Sequence, residues 1–155
     1  MEWRLPVKYT REVVIDLPRD RVIELFMNRD NMPKWQTGLK SFEHVSGEPG
    51  QAGETSRLVY EHRGQDVEMI ETVTSQSLPD ALAGTYETEG VWNYINNRFV
   101  EEGPDRTRWI AETEFRFSDW KMLLMSIVMR FAFTGQTKKT LHDFKAFAEG
   151  EGRGE

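Results

Sequence analysis

A chain of 155 residues, 38% hydrophobic, 12% aromatic and 30% charged, has the composition of one globular domain whose core is large enough to hold an internal cavity. Its formal net charge of -6 and the lack of any basic run argue against a phosphate-neutralising groove, so nucleic acid is not an expected partner. With no cysteine, disulfides, thiolate metal sites and cysteine nucleophiles are excluded, and the expected setting is the cytoplasm, since Met1 to Tyr9 lack the apolar run of an export signal.

From Val7 to Leu17 a two-residue alternation sets Tyr9, Val13, Ile15 and Leu17 against Lys8, Glu12 and Asp16, which predicts a strand. Pro18 fits a helix start, and Val22, Leu25 and Phe26 recur at helical spacing until Asn28, Asp30, Asn31 and Pro33 end the run. The segment Pro33 to Gly38, with Trp35, adds one further turn. Glycine and proline clusters then divide the chain into six strands, near 39–46, 53–62, 66–75, 81–89, 91–101 and 106–117. The last is the most regular: Trp109, Ala111, Thr113, Phe115 and Phe117 occupy one face, and Arg108, Glu112, Glu114 and Arg116 the other.

A long helix is expected from about Asp119 to Ala148, with Ser118 or Asp119 as its N-cap. Its second half is amphipathic, with Leu141, Phe144 and Ala148 on one stripe. Its first half, Trp120 to Phe133, is apolar nearly all round yet shorter than the about 20 residues a bilayer requires. Gly135 lies where the halves meet and is a place for a kink. The polar tail 150–155 is expected to fray beyond a domain spanning 1–149.

Strand, short helix, turn, six meandering strands and final helix form the element order of the START-like (SRPBCC) superfamily. The sequence resembles its polyketide cyclase/dehydrase-like branch at Val14-Ile15-Asp16-Leu17-Pro18, at Val22, Asp30 and Trp35, at Gly53, in the turn from Gly103 to Thr107, and from Leu141 to Glu149. Ile23 departs from the aromatic residue common in that branch. The resemblance implies an α+β helix-grip fold, a seven-stranded curved antiparallel sheet in the order β-α-α-β6-α wrapped around the C-terminal helix. It also implies a cavity between them for a small hydrophobic molecule such as a lipid, polyketide or aromatic compound. It carries no shared catalytic residue.

No metal or cofactor is expected. His44, His62 and His142 are scattered without metal-ligand spacing, and no G-x-S-x-G, G-x-G-x-x-G or P-loop motif occurs. Chemistry, if any, falls to Glu71 or His62. The alternation Val67, Met69, Glu71, Val73 sends the Glu71 carboxyl to the apolar side of its strand unless a bulge turns it outward, and His62 follows Leu58 and Tyr60 at a strand end. Asn93 and Asn96 have opposite parity, so one faces inward. Tyr60, Met69, Tyr86, Tyr94, Trp109, Thr113, Phe115 and Phe117 are expected to line the pocket, joined by Met125 and Met129 from the apolar half-helix, whose thioethers suit variable apolar shapes. Three uses compete for that half-helix: pocket lining or lid, a homodimer interface, or contact with a membrane surface. The leading expectation is a carrier for a small apolar molecule; a cyclase- or dehydratase-like enzyme and an interaction module are the alternatives.

Overall fold

The computed structural model describes residues 6–121, 124 and 130–153. Strand β1 (Val7–Ile15) leads into α1 (Arg19–Met27), a 3-10 turn (Arg29–Asn31) and the single-turn α2 (Met32–Trp35). The meander β2 (Leu39–Ser46), β3 (Thr55–His62), β4 (Gln65–Ser77), β5 (Ala81–Thr88), β6 (Val91–Gly103) and β7 (Arg106–Phe117) follows, and α3 (Arg130–Arg153) closes the chain. The seven strands form one antiparallel sheet in the order β1-β7-β6-β5-β4-β3-β2. This is the helix-grip architecture that the element order implies.

The hairpin breaks place every strand of the meander within two residues of its expected ends. The helix differs more. It continues to Arg153 instead of ending at Ala148, and it runs uninterrupted through Gly135. A glycine inside a helix costs only about 1 kcal/mol, which packing on either side offsets. Trp120 and Lys121 begin a helical segment after Ser118 and Asp119. Trp120 and Leu124 are 60% and 53% exposed, whereas Met122, Met125 and Met129 lie outside the described residues. Among the described residues no helix is long and apolar enough to cross a membrane.

The core occupies one end of the space between sheet and helix. Val13, Ile15 and Leu17 from β1 and its exit meet Val22 and Leu25 of α1, Phe99 of β6, Trp109 of β7, and Leu141, Phe144 and Ala148 of α3. Phe26, Trp35, Phe99, Trp109 and Phe144 form a cluster of mostly edge-to-face rings with centroids 4.9–6.4 Å apart, the arrangement that ring quadrupoles favour. The cluster ties α1, α2 and α3 to the sheet at this end. Toward the β4–β5 side the same space stays open.

Candidate functional site

Antiparallel register converts the alternation of each strand into rows across the concave face. One row runs Phe42, Leu58, Met69, Thr88, Val91 and Phe117, and is largely apolar. The next runs His44, Ser56, Glu71, Tyr86, Asn93 and Phe115, and is polar through its middle. A third holds Val73, Gly84, Ile95, Thr113 and Tyr9. Above them lies a cavity of about 360 Å³. Gly84 is built into its wall: a Cβ there would stand 2.9 Å from the Thr72 carbonyl oxygen, so a side chain would force β4 and β5 apart.

The sheet supplies Tyr60, Met69, Glu71, Tyr86, Asn93, Trp109, Ala111, Thr113 and Phe115 to the cavity wall. Among the described residues the α3 wall is Gln136, Thr137, Thr140 and Leu141, a face more polar than the helix pattern suggests. Phe26 and Trp35 close the end nearest the core. Among the described residues no three His, Asp or Glu side chains converge as a metal set.

The β2–β3 loop and the α1–α2 connection add a partly buried ion pair at one side, with Glu54 buried and Arg29 one-third exposed. Asn31 Nδ2 donates to the Leu25 carbonyl at the end of α1 (3.3 Å), and Asn28 Oδ1 accepts from the Asp30 amide (3.1 Å), which fixes the turn carrying Arg29. Glu54 is set opposite Val73 by two backbone hydrogen bonds of 2.7 and 2.9 Å. Gly47, at φ +85, lets the loop fold over it, since a Cβ there would lie 2.7 Å from the Glu54 Cα. Glu54 is 1% exposed. Its Oε1 accepts from Arg29 and from the Gly50 amide (2.8 Å), and its Oε2 lies 3.6 Å from His44 Nε2. Burial pushes this carboxyl up, but the Arg29 hydrogen bond, the Gly50 amide and the charges of Arg29 and His44 outweigh it and hold Glu54 below the ordinary glutamate range.

Glu71 behaves oppositely. Burial raises its carboxyl above the ordinary range and the nearby Glu54 carboxylate adds to the rise, against a hydrogen bond from Tyr86 and the charge of Arg29. Tyr86 and Tyr60 are likewise raised, first by burial and then by Glu71. The Tyr60 hydroxyl donates to Gln36 Oε1. Two carboxyls therefore share one wall with different proton affinities: Glu54 is paired with Arg29 and holds its proton less tightly than an ordinary glutamate, and Glu71 holds its proton more tightly.

Several polar atoms on or beside this wall are buried without a hydrogen-bond partner: Trp35 Nε1, Ser56 Oγ, Asn93 Oδ1 and Thr113 Oγ1. Asn97 is spoken for, donating to the Leu82 carbonyl (3.3 Å) and accepting from Trp109 Nε1 (3.0 Å).

The expected site residues divide clearly. Tyr60, Met69, Glu71, Tyr86, Trp109, Thr113 and Phe115 are brought together around the cavity. Glu71 faces inward because the bulge of β4 falls between Val73 and Ser75, beyond it. Tyr94 is a correction: Asn93, Ile95 and Asn97 take the concave face, so Tyr94 stands on the convex face, stacked on Trp92 at 6.1 Å. Asn96 shares that outer face and donates to Glu112 Oε1 (3.0 Å). His62 is also corrected. It is exposed at the β3–β4 hairpin and outside the cavity, six positions along β3 from Ser56, the partner of Glu71, which is about 20 Å of strand. Phe117 is 3% exposed and stacked on Phe115, but it does not reach the cavity. Met125 and Met129 lie outside the described residues. Pattern reading missed Arg29, Glu54, Gln136, Thr137 and Thr140.

A curved sheet gripping a C-terminal helix over a partly polar cavity defines the class. The chain belongs to the family described as polyketide cyclase / dehydrase and lipid transport, whose profile matches residues 6–149. It is similar in fold to the Zhui aromatase/cyclase from Streptomyces sp. R1128 (14% identity, 96% of this chain and 97% of that one, TM-score 0.76). It is also similar to norcoclaurine synthase from Thalictrum flavum (14%, 92% and 86%, TM-score 0.68) and to major latex-like protein 151 from Panax ginseng (13%, 94% and 99%, TM-score 0.69). No curated protein matches the sequence.

Proposed function

We propose that this protein binds a small, mainly apolar molecule in the cavity between sheet and α3, and that the polar row through Glu71, Tyr86 and Asn93 orients it. The observation that carries this reading is the cavity of about 360 Å³, within the size range of small-molecule sites, whose apolar walls are interrupted by a few converging polar groups. The family and the ligand-handling folds it resembles support it. The reading keeps a cytoplasmic setting, where a chain without cysteine forgoes no disulfide. The exposed pair Trp120 and Leu124 is where a homodimer or membrane contact would form; binding in the cavity needs neither.

The test is uptake of the neutral fluorophore N-phenyl-1-naphthylamine. The unsubstituted protein should enhance its emission saturably. Ala111→Trp, which sets an indole into the cavity from the middle of β7, should weaken uptake about tenfold or more while far-UV dichroism stays unchanged. Equal uptake by both proteins would place the probe elsewhere and sink the reading.

Glu71 favours a second reading, acid-base catalysis on a bound carbonyl compound, because a buried carboxyl of raised proton affinity beside a tyrosine can deliver a proton and take it back. A carboxyl whose affinity for its proton is raised in the folded state contributes most stability below its unfolded pKa and loses it as pH rises through the folded value. Glu71→Gln is therefore expected to raise Tm at pH 8, with the gain vanishing near pH 4, and to keep probe binding while losing turnover of any substrate found. Retained turnover would remove Glu71 from catalysis and leave binding as the whole function.

A further inference from the structure

We propose that the cavity selects electrically neutral ligands bearing hydroxyl or carbonyl oxygens and rejects carboxylates, because Glu54 and Glu71 both face it while Arg29, the one cation among its described lining residues, is committed to Glu54. This rests on the ligand-binding reading above and specifies the chemistry of the ligand.

The charges facing the space can be counted element by element. The α1–α2 connection brings Arg29, the end of the β2–β3 loop brings Glu54, and β4 brings Glu71. From β2, His44 lies outside the lining, with its Nε2 2.7 Å from the Gly47 carbonyl and 3.6 Å from Glu54 Oε2. The described residues of α3 that line the cavity, Gln136, Thr137, Thr140 and Leu141, are uncharged. An entering carboxylate would give up its water for a low-dielectric space in which no described lining residue offers an uncommitted positive charge, and an unpaired charge is costly to bury. It could win Arg29 only by stripping it from Glu54, which is 1% exposed and would be left buried and unpaired.

Neutral oxygens, in contrast, have partners ready. Thr113 is 4% exposed, its Oγ1 has no partner, and it lines the cavity from β7. Trp35 Nε1 offers a second unpartnered donor from the core end of the cavity. Asn93 Oδ1, in the same row as Glu71 and two strands away, offers an acceptor about 10 Å across the sheet. Groups spread this widely fit a ligand with oxygens at two places better than a fatty chain with a single charged head. A buried donor left unmatched disfavours a ligand that lacks the complementary oxygen.

The experiment is displacement of N-phenyl-1-naphthylamine from the full chain at pH 8 by 1-decanol, decanoate and decylamine, three ligands with the same tail. Decanol is expected to displace the probe at about tenfold lower concentration than decanoate or less. Glu54→Gln, which releases Arg29, should narrow that gap by improving decanoate. Should this variant fail to fold, the comparison in the unsubstituted protein decides alone. Decanoate equal to or better than decanol would overturn the selectivity while leaving ligand binding intact. Decylamine as the tightest of the three would overturn it too, by showing an ionised carboxylate facing the ligand. A chain that takes up no probe at all would remove the binding reading, and this inference with it.

Discussion

Phe144→Ala is expected to destabilise the fold by about 3–5 kcal/mol, on the order of 10 °C in Tm for a chain of this length. Phe144 is fully buried at the centre of the ring cluster, with centroids 4.9 Å from Trp35, 5.3 Å from Trp109 and 5.7 Å from Phe26. Each ring belongs to a different element: α1, α2, β7 and α3. Truncation thus removes the apolar area of one side chain and also the contacts that hold three helical segments on the sheet. The site cannot collapse to fill the gap, because its neighbours are rigid aromatics fixed by their own strands and helices. Thermal and urea unfolding of the two proteins check this; a loss below about 1 kcal/mol would mean that the cluster is not a cooperative unit.

Arg29→Met is expected to cost about 3 kcal/mol at pH 7. Methionine keeps the stem but removes the guanidinium, which lies 4.6 Å from the centre of the Phe42 ring, and leaves Glu54 buried, with only the Gly50 amide and His44 beside it. The pH dependence identifies the cause. Glu54 is held below the ordinary glutamate range when folded, so its contribution is complete above the unfolded pKa and is lost as pH falls through the folded one. The two proteins should therefore differ most near neutrality and converge in acid. Urea unfolding at pH 7 and pH 3 measures the convergence, and a constant difference would assign the loss to packing rather than charge.

How much of this was legible in the sequence depends on how far each signal reaches. The β7 alternation from Trp109 to Phe117 and the Met69, Glu71, Val73 parity on β4 are local patterns, and strand geometry turns them directly into faces. Tyr94 was legible too: counting back by twos from the buried Phe99 through Asn97 and Ile95 reaches Asn93, which puts Tyr94 outside. Arg29 and Glu54 were not. Arg29 stands among Asn28, Asp30 and Asn31 and reads as part of a polar helix stop, while Glu54 follows Gly53 and reads as a turn acid. Their pairing across 25 positions leaves no mark in either local pattern. Gln136, Thr137 and Thr140 were assigned no role for a related reason: periodicity treats polar positions as wet, and a helix over a polar cavity breaks that rule.

The strand order has a temporal consequence. β1 and β2 are neighbours in sequence but lie on opposite edges of the sheet, so β1 has no ladder partner until β7 exists, and Val13 must wait for Trp109. The hydrogen bond from Thr107 Oγ1 to the Leu17 carbonyl (2.8 Å) spans 90 residues. During synthesis the meander from β2 to β6 can zip hairpin by hairpin, each strand meeting the one just made. Of these seven strands the first to leave the ribosome is the last to be paired, and its apolar side, Val13 and Ile15 with Leu17 just beyond, stays without its β7 partner for most of that time.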